Sequence, residues 1–266
     1  MFHNLFDSHI HTNNSPNGLH SAMYMVEHAR LAGLMGIAVT DFVDCHDFHG
    51  GNYQNRIVHS VIDTAKAKAA FRWQMSFSQG VEISFAESGD FDTADKIVGL
   101  YPYDFIICSH RSPVKDPQTD FIGGKLPDDY YADLLSIAKW GRFDSFAYLT
   151  NPLKRAMPEA GVLPSLEPYM EQIDAVLRCL AESGKALELS ASVLCNNGET
   201  TFPLRVISRF RELGGEFVTI GSDAHCIEDI GKGLQEGMAL LQMAGFSYFA
   251  FYRARGSREP VMLRIV

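Results

Sequence analysis

The sequence has none of the cysteine spacings that mark a disulfide framework or a zinc ribbon. Its five cysteines are odd in number, and no two of them stand in a CxxC motif. Free thiols are typical of a reducing compartment. A chain of 266 residues can bury a large core without cross-links. A metal site in this protein would therefore serve chemistry rather than folding.

Long apolar runs are also missing. No stretch approaches the roughly 18 uninterrupted apolar residues of a transmembrane helix. The first residues, MFHNLFDSHIHT, lack the basic start and apolar run of a signal peptide. We therefore expect a cytoplasmic protein with no membrane partner.

Positive charge is scarce. The 23 lysines and arginines are outnumbered by 32 aspartates and glutamates, which gives a formal net charge of −9. Binding to a nucleic acid backbone needs a basic stripe, and none is present, so we expect no nucleic acid partner. No GxGxxG motif follows a strand, which counts against a dinucleotide-binding fold.

Short β-like runs alternate with helical runs along the whole chain, with no disordered linker between them. The predicted strands are 4–10, 36–42, 75–84, 104–110, 143–149, 186–192 and 216–225, and the predicted helices are 21–34, 55–71, 93–100, 128–140, 165–183, 203–213 and 233–244. Strand-like ends, YFAFYR and VMLRIV, follow the last helix. Alternation of this kind predicts an α/β fold with a parallel sheet, and seven units over this length favour one closed, TIM-like barrel domain, 1–266.

Polar residues cluster at the predicted carboxyl ends of the strands, where barrels of this type carry their chemistry. Strand one ends in His9 and His11, and strand seven ends in Asp223 and His225. Residues two apart on a strand share a face, so each pair is expected to point one way. Two imidazoles and a carboxylate are suitable ligands for zinc, manganese or iron.

Further strand ends add Asp41, Glu82, His110 and Glu188 to the same rim. A divalent metal held there can lower the pKa of bound water towards neutrality. Metal-bound imidazoles need acceptors behind them, and Asp7 is a candidate for that role. The sequence thus predicts a metal site at the carboxyl end of the barrel.

The motifs DSHIHT, VTDF, GVEIS, LELSAS and GSDAH together resemble the PHP superfamily, the polymerase and histidinol phosphatase metal-dependent phosphoesterases, and in particular its histidinol-phosphatase branch. The resemblance covers almost the whole chain and implies a distorted (β/α)7 barrel. It also implies up to three metal ions. The first would be held by His9, His11, Glu82 and Asp223, with Glu82 bridging to a second ion and His225 serving a third.

Other positions depart from the family pattern. Asn17, Phe42 and Tyr148 stand where the family has metal-binding residues, and Cys195 stands where it has an arginine. His110 lies one residue before the family's fourth-strand histidine, and a shift of one residue turns a side chain to the other face of a strand unless a bulge corrects it. We therefore expect one metal ion, leave a second open and do not expect a third.

The resemblance implies a phosphatase in which metal-activated water attacks a small phosphate ester, L-histidinol phosphate of histidine biosynthesis being the implied substrate. Asp223, His225 and His110 are the candidate catalytic residues, the last two also as metal ligands. Lys154 and Arg111 are candidates for binding phosphate. Two alternatives stay open: a degenerate barrel that holds a metal and a small ligand without turnover, and a different metallohydrolase of the amidohydrolase kind. The sequence leaves the oligomeric state open.

Overall fold

The computed structural model describes residues 2–86, 90–110, 130–149, 165–192, 194, 200–253 and 260–266. Its strands are β1 (Phe6–Ile10), β2 (Gly36–Val39), β3 (Phe42–Asp44), β4 (Ser76–Phe85), β5 (Phe105–His110), β6 (Ser145–Phe146), β7 (Ala186–Ser190), β8 (Val218–Gly221), β9 (Tyr248–Phe251) and β10 (Val261–Arg264). Its α-helices are α1 (Ala22–Leu31), α2 (Tyr53–Phe71), α3 (Phe91–Leu100), α4 (Tyr130–Trp140), α5 (Met170–Glu182), α6 (Thr201–Glu212) and α7 (Leu234–Met243).

Seven strands form a nearly closed parallel barrel in the order β1-β2-β4-β5-β6-β7-β8. The first and last strands of this path meet just beyond their carboxyl ends, where Ile10 bridges Ala224 in parallel. The amide of Asp223 donates to the carbonyl of His9, and the amide of His11 donates to the carbonyl of Ala224, both at 2.8 Å. The predicted TIM-like barrel is therefore confirmed.

Four of the predicted strands end earlier than the sequence pattern indicates, and the early ends of 36–42 and 216–225 bear on the site. The stretch 36–42 is interrupted after Val39, and the chain resumes as β3, which pairs with β4. The interruption contains Asp41, whose side chain turns to accept hydrogen bonds from Thr12. The stretch 216–225 leaves the strand conformation after Gly221, and Asp223 has a φ of 58° that no strand residue adopts.

Local sequence accounts for the start of α1 and for the end of α6. Ser21 accepts a hydrogen bond from the Tyr24 amide and so caps the start of α1. Gly214 follows α6 with a φ of 92°, a conformation that glycine tolerates best. None of the helices described has the length and apolar character of a membrane-spanning segment.

The antiparallel hairpin of β9 and β10 covers the amino end of the barrel. The ring of Phe251 packs 4.8 Å from that of Phe6, at the start of β1. The ring of Tyr252 stacks 5.0 Å from that of Phe105, at the start of β5, and its hydroxyl donates to the carbonyl of Asp144 just before β6. The opposite, carboxyl end carries the polar residues.

Candidate metal centre

His9 and His11 lie at the carboxyl end of β1, and both side chains are buried. His9 is the fourth residue of the strand, and His11 follows its last residue. Pairing with the segment 223–224 keeps this end of β1 extended, so the two imidazoles point to the same side as predicted.

Ligand atoms of His9, His11 and Asp223 all lie within 4.8 Å of one another. The Asp223 Oδ1 atom is 3.2 Å from Nε2 of His11 and 3.8 Å from Nε2 of His9. The Oε2 atom of Glu82, from β4, is 3.3 Å from Nε2 of His9 and 3.4 Å from Nε2 of His11. Two imidazole nitrogens and two carboxylates thus converge, which is a donor set that suits zinc and related divalent metals.

The Nε2 atom of His11 gives a direct test of whether this cluster fits a metal ion. It is buried and makes no hydrogen bond within the described part of the chain, although it faces Glu82 and Asp223. A buried polar nitrogen without a hydrogen bond is costly unless another group satisfies it. A divalent cation bound between the carboxylates and Nε2 would satisfy it, so the residues fit the group.

Burial and charge shift the protonation of these groups in opposite directions. Burial works to raise the pKa of Asp223, but the close contact with His11 and the charge of His9 outweigh it and hold that pKa well below its usual range. Burial works to lower the pKa of His9, but Glu188 and Glu82 outweigh it and raise that pKa well above its ordinary value. The imidazole thus retains a proton beside ionised carboxylates, and a cation would compete with that proton for the same atoms.

Glu188, on β7, lies behind His9. Its two carboxylate oxygens are 3.0 and 3.1 Å from Nδ1 of His9. A carboxylate at Nδ1 accepts a hydrogen bond from the proton on that nitrogen, and Nε2 then points at the cluster. Acceptors behind metal-bound histidines commonly have this effect. Sequence reasoning noted Glu188 as a polar strand end but gave it no role. Only the pairing of β7 beside β8 brings it behind β1.

Asp7, which we expected behind the histidines, has a different role. Its carboxylate accepts from the amide and hydroxyl of Ser222 at 2.8 and 2.5 Å and from the amide of Gly231 at 3.0 Å. It therefore fixes the turn that follows β8. The expectation was wrong because the Asp7 carboxylate is taken up by Ser222 and Gly231, while Glu188 occupies Nδ1 of His9. For His11 that acceptor is the hydroxyl of Ser15, 3.1 Å from Nδ1.

Tyr148 borders the cluster in a conformation that is rare for an aromatic residue, with a φ of 62°. Its ring lies 5.8 Å from that of His9, and its hydroxyl interacts electrostatically with Asp223. Burial and the charge of Asp223 raise the pKa of this phenol well above its ordinary value, so it stays protonated. Backbone strain of this kind concentrates at functional sites.

His225 is only partly buried, and its ring stacks on that of His11 at 4.2 Å. Its Nδ1 atom is 3.0 Å from the carbonyl oxygen of Asp223, so Nδ1–H donates there and Nε2 is left as an acceptor. Burial lowers its pKa. Asp223 and His225 are thus neighbours as expected, but through a turn rather than through strand alternation.

His110 does not join this cluster. It pairs in register with Phe85, so its side chain lies on the opposite face of the sheet from Glu82. Its ring stacks 5.2 Å from that of Tyr130 on α4. Its Nδ1 donates to the Phe85 carbonyl, and Nε2 is 3.7 Å from Asp133. No bulge corrects the shift of one residue, so the side chain faces the helices instead of the site.

Three other residues that depart from the family pattern are Asn17, Phe42 and Cys195. Asn17 is exposed, and Phe42 pairs in register with Glu82 at the start of β3. Cys195, like the predicted phosphate-binding residues Arg111 and Lys154, lies outside the described residues.

Comparison with known proteins gives this barrel a family. Residues 7–192 match the model of the PHP domain. A Thermotoga maritima protein named "Probable histidinol-phosphatase" is 24% identical over 250 residues, which cover 92% of this chain and 95% of that protein. The histidinol-phosphatase of Lactococcus lactis is 22% identical over 255 residues, covering 92% and 93% of the two chains.

Among solved structures, this fold is similar to the histidinol phosphate phosphatase of Lactococcus lactis complexed with zinc, L-histidinol and phosphate. The TM-score is 0.75 at 20% identity, over 93% of this chain and 96% of that one. Since the family model spans most of the sequence, including β1 with its two histidines, this chain belongs to the PHP domain family.

Proposed function

We propose that this protein is a metal-dependent phosphatase that hydrolyses a small phosphate monoester. The observation that carries the proposal is the convergence of His9, His11, Asp223 and Glu82 at the carboxyl end of the barrel, with one imidazole nitrogen lacking a hydrogen bond. Relatives that align with nearly the whole chain carry phosphatase names, which supports the same reaction class.

His9, His11, Asp223 and Glu82 would hold one divalent metal, zinc, manganese or iron. Such an ion supplies Lewis-acid activation of water and of a phosphate oxygen. Glu188 holds the His9 ring in place, and the protonated phenol of Tyr148 interacts with the carboxylate of Asp223.

His225 is the group best placed to carry a proton. Its Nδ1–H is held by the carbonyl of Asp223, so Nε2 is the atom that can accept. Its lowered pKa keeps the ring neutral near pH 7. We propose that Nε2 of His225 accepts a proton from the attacking water and returns one to the leaving alkoxide.

Phosphate binding needs positive charge in addition to the metal. Within the described ranges, no lysine or arginine forms an ion pair with Glu82, Glu188 or Asp223. We propose that Lys154 and Arg111 supply this charge, as their positions in the sequence indicate. L-histidinol phosphate is the first substrate to test, because relatives at 22 and 24% identity carry histidinol-phosphatase names.

A second candidate is a barrel that holds a metal and a small ligand without turnover. Two observations favour it: Phe42, which cannot ligate a metal, lies in register with Glu82, and the hydroxyl of Tyr148 engages Asp223. Both reduce the number of ligands available for further ions.

Metal analysis of the purified protein, paired with phosphate release from L-histidinol phosphate and from a generic monoester, separates the two candidates. We expect bound metal and turnover in the wild type, and loss of both in His9→Ala. His46→Ala is the matched control, since that side chain is 62% exposed. Bound metal without release of phosphate from either ester would contradict the phosphatase proposal.

A further inference from the structure

The hydroxyl of Ser15 lies between His11 and Asp41. Its Oγ atom is 3.1 Å from Nδ1 of His11 and 2.8 Å from Oδ1 of Asp41. The backbone amide of Phe42 lies 2.9 Å from the same oxygen. All of the Ser15 side chain is buried, so these contacts are made without competition from bulk water.

Asp41 acts only as an acceptor. Its Oδ1 accepts from the amide of Thr12 at 2.6 Å, a group that can only donate. Its Oδ2 accepts from the hydroxyls of Thr12 at 2.8 Å and of Ser60 at 2.5 Å. The hydroxyl of Ser15 is the fourth donor on this carboxylate, so its single proton points at Asp41.

The hydrogen-bonding groups of the Ser15 hydroxyl then determine which nitrogen of His11 carries the proton. A serine hydroxyl has one proton and two lone pairs. The proton goes to Asp41, and one lone pair accepts the Phe42 amide, which can only donate. The second lone pair faces Nδ1 of His11, so this nitrogen must carry a hydrogen and donate it.

We propose that Ser15 and Asp41 are positioning residues that hold the proton of His11 on Nδ1 and so keep the Nε2 lone pair for a metal. The value of this arrangement for catalysis rests on the proposed function, whereas the location of the proton does not. His9 is held differently, through direct contact of its Nδ1 with the carboxylate of Glu188. The two histidines are therefore supported differently. A carboxylate contacts His9 directly, whereas a serine hydroxyl stands between His11 and the carboxylate of Asp41.

The location of the proton is measured on the metal-free wild-type protein. Protein labelled with nitrogen-15 in histidine is studied by NMR, and the His11 signals are assigned by their loss in His11→Gln. We expect Nδ1 of His11 to be protonated and its hydrogen to exchange slowly with solvent. An unprotonated Nδ1 would overturn the proposal, and this measurement needs no Ser15 variant to fold.

The consequence for the metal is measured as the dissociation constant for Zn²⁺ alone, by competition with a chromophoric chelator. Ser15→Ala removes the acceptor of the His11 proton, and we expect zinc to bind about 10–100-fold more weakly. Ser60→Ala is the matched control, because it also removes a hydroxyl from Asp41 but leaves the contact between Ser15 and His11.

Ser60→Ala should therefore keep zinc affinity near that of the wild type and retain the slowly exchanging hydrogen. If zinc binding were weakened equally in the two variants, or not at all in Ser15→Ala, Ser15 would have only a packing role. A wild-type protein that fails to bind zinc would refute the proposed metal site, while the NMR measurement would still report where the His11 proton lies.

Discussion

Single residues decide how well the cluster can hold an ion. His9 and His11 supply the nitrogens, but Glu188 and Ser15 determine which nitrogen is available by occupying the other one. The lowered pKa of Asp223 keeps its carboxylate ionised, because the close contact with His11 and the charge of His9 outweigh its burial. The ligands are thus held ready for a cation.

Replacing Glu188 by glutamine tests this support for His9. Glutamine has nearly the same size but no charge, so the proton on Nδ1 of His9 loses its carboxylate partner. We expect the dissociation constant for Zn²⁺ to rise about 10–100-fold, measured by chelator competition. Glu171→Gln, at an exposed position of α5, is the control and should bind zinc like the wild type. Unchanged affinity in Glu188→Gln would mean that the carboxylate is not needed to orient the ring.

At the scale of the elements, the close approach of β8 to β1 sets the geometry of the cluster. Gly221 ends β8, and a Cβ added there would lie 2.3 Å from the Cβ of His9 and 2.9 Å from its amide nitrogen. Glycine is therefore required for the approach of the two backbones rather than for an unusual φ.

Gly221→Ala should displace His9 and so weaken zinc binding together with thermal stability. Gly99→Ala is the control, because a Cβ at Gly99 in α3 meets nothing within 4 Å. Alanine in a helix is favoured over glycine by about 0.5–1 kcal/mol, so this control should be slightly more stable than the wild type. The melting temperature and the zinc affinity are measured on the same samples, and normal zinc affinity in Gly221→Ala would contradict the argument.

Helices α5 and α6 are joined by a forked ion pair that gives a pH-dependent prediction. Asp174 accepts from Nε and NH2 of Arg209 at 2.8 and 2.6 Å, and this bonding lowers the pKa of Asp174. A lowered pKa in the folded state stabilises the protein above the ordinary aspartate pKa, and the contribution disappears as the pH falls through the folded value.

Asp174→Asn should therefore unfold at lower urea than the wild type at pH 7, and the difference should shrink as the pH is lowered below about 4. Urea midpoints at a series of pH values test this. Glu171→Gln changes the charge of the same helix at an exposed position and serves as the control. A difference from the wild type that stays constant down to acid pH would assign the effect to packing instead of charge.

For the whole molecule, the two ends of the barrel divide stability from chemistry. The hairpin of β9 and β10 closes the amino end with buried aromatic rings, and the ionisable cluster occupies the carboxyl end. Such a division is typical of barrels whose active sites lie at the carboxyl ends of the strands.

Phe251→Ala should lower the free energy of unfolding by about 3–5 kcal/mol, because this fully buried ring packs against Phe6 and leaves a cavity when removed. Zinc affinity of the folded fraction should stay unchanged, since the cluster is at the other end. Tyr248→Ala, on the same strand but 47% exposed, is the control and should cost much less. Urea unfolding and zinc titration give the two readouts, and a large loss of zinc affinity would mean that the two ends are coupled.

The sequence by itself determined the alternation of strands and helices, the barrel, and the pairing of His9 with His11 on one face. These follow from periodicities of two and 3.6 residues, which are local properties of the chain. The sequence also showed that His110 is offset by one residue from the family's histidine, which predicts a side chain on the other face of the strand. The register of β5 against β4 places it on the outer face.

Only the tertiary structure decided which groups stand behind the ligands. Glu188 and Asp41 were visible as polar strand ends, but the partner of Glu188 lies 179 positions away and that of Asp41 lies 26 positions away. Ser15 was not singled out, although it lies only 4 positions from His11. The left-handed backbone at Asp223 likewise breaks the strand pattern from which its orientation relative to His225 was inferred. Hydrogen-bond partners behind a site depend on how strands close into a barrel, and that closure joins segments which no local pattern connects.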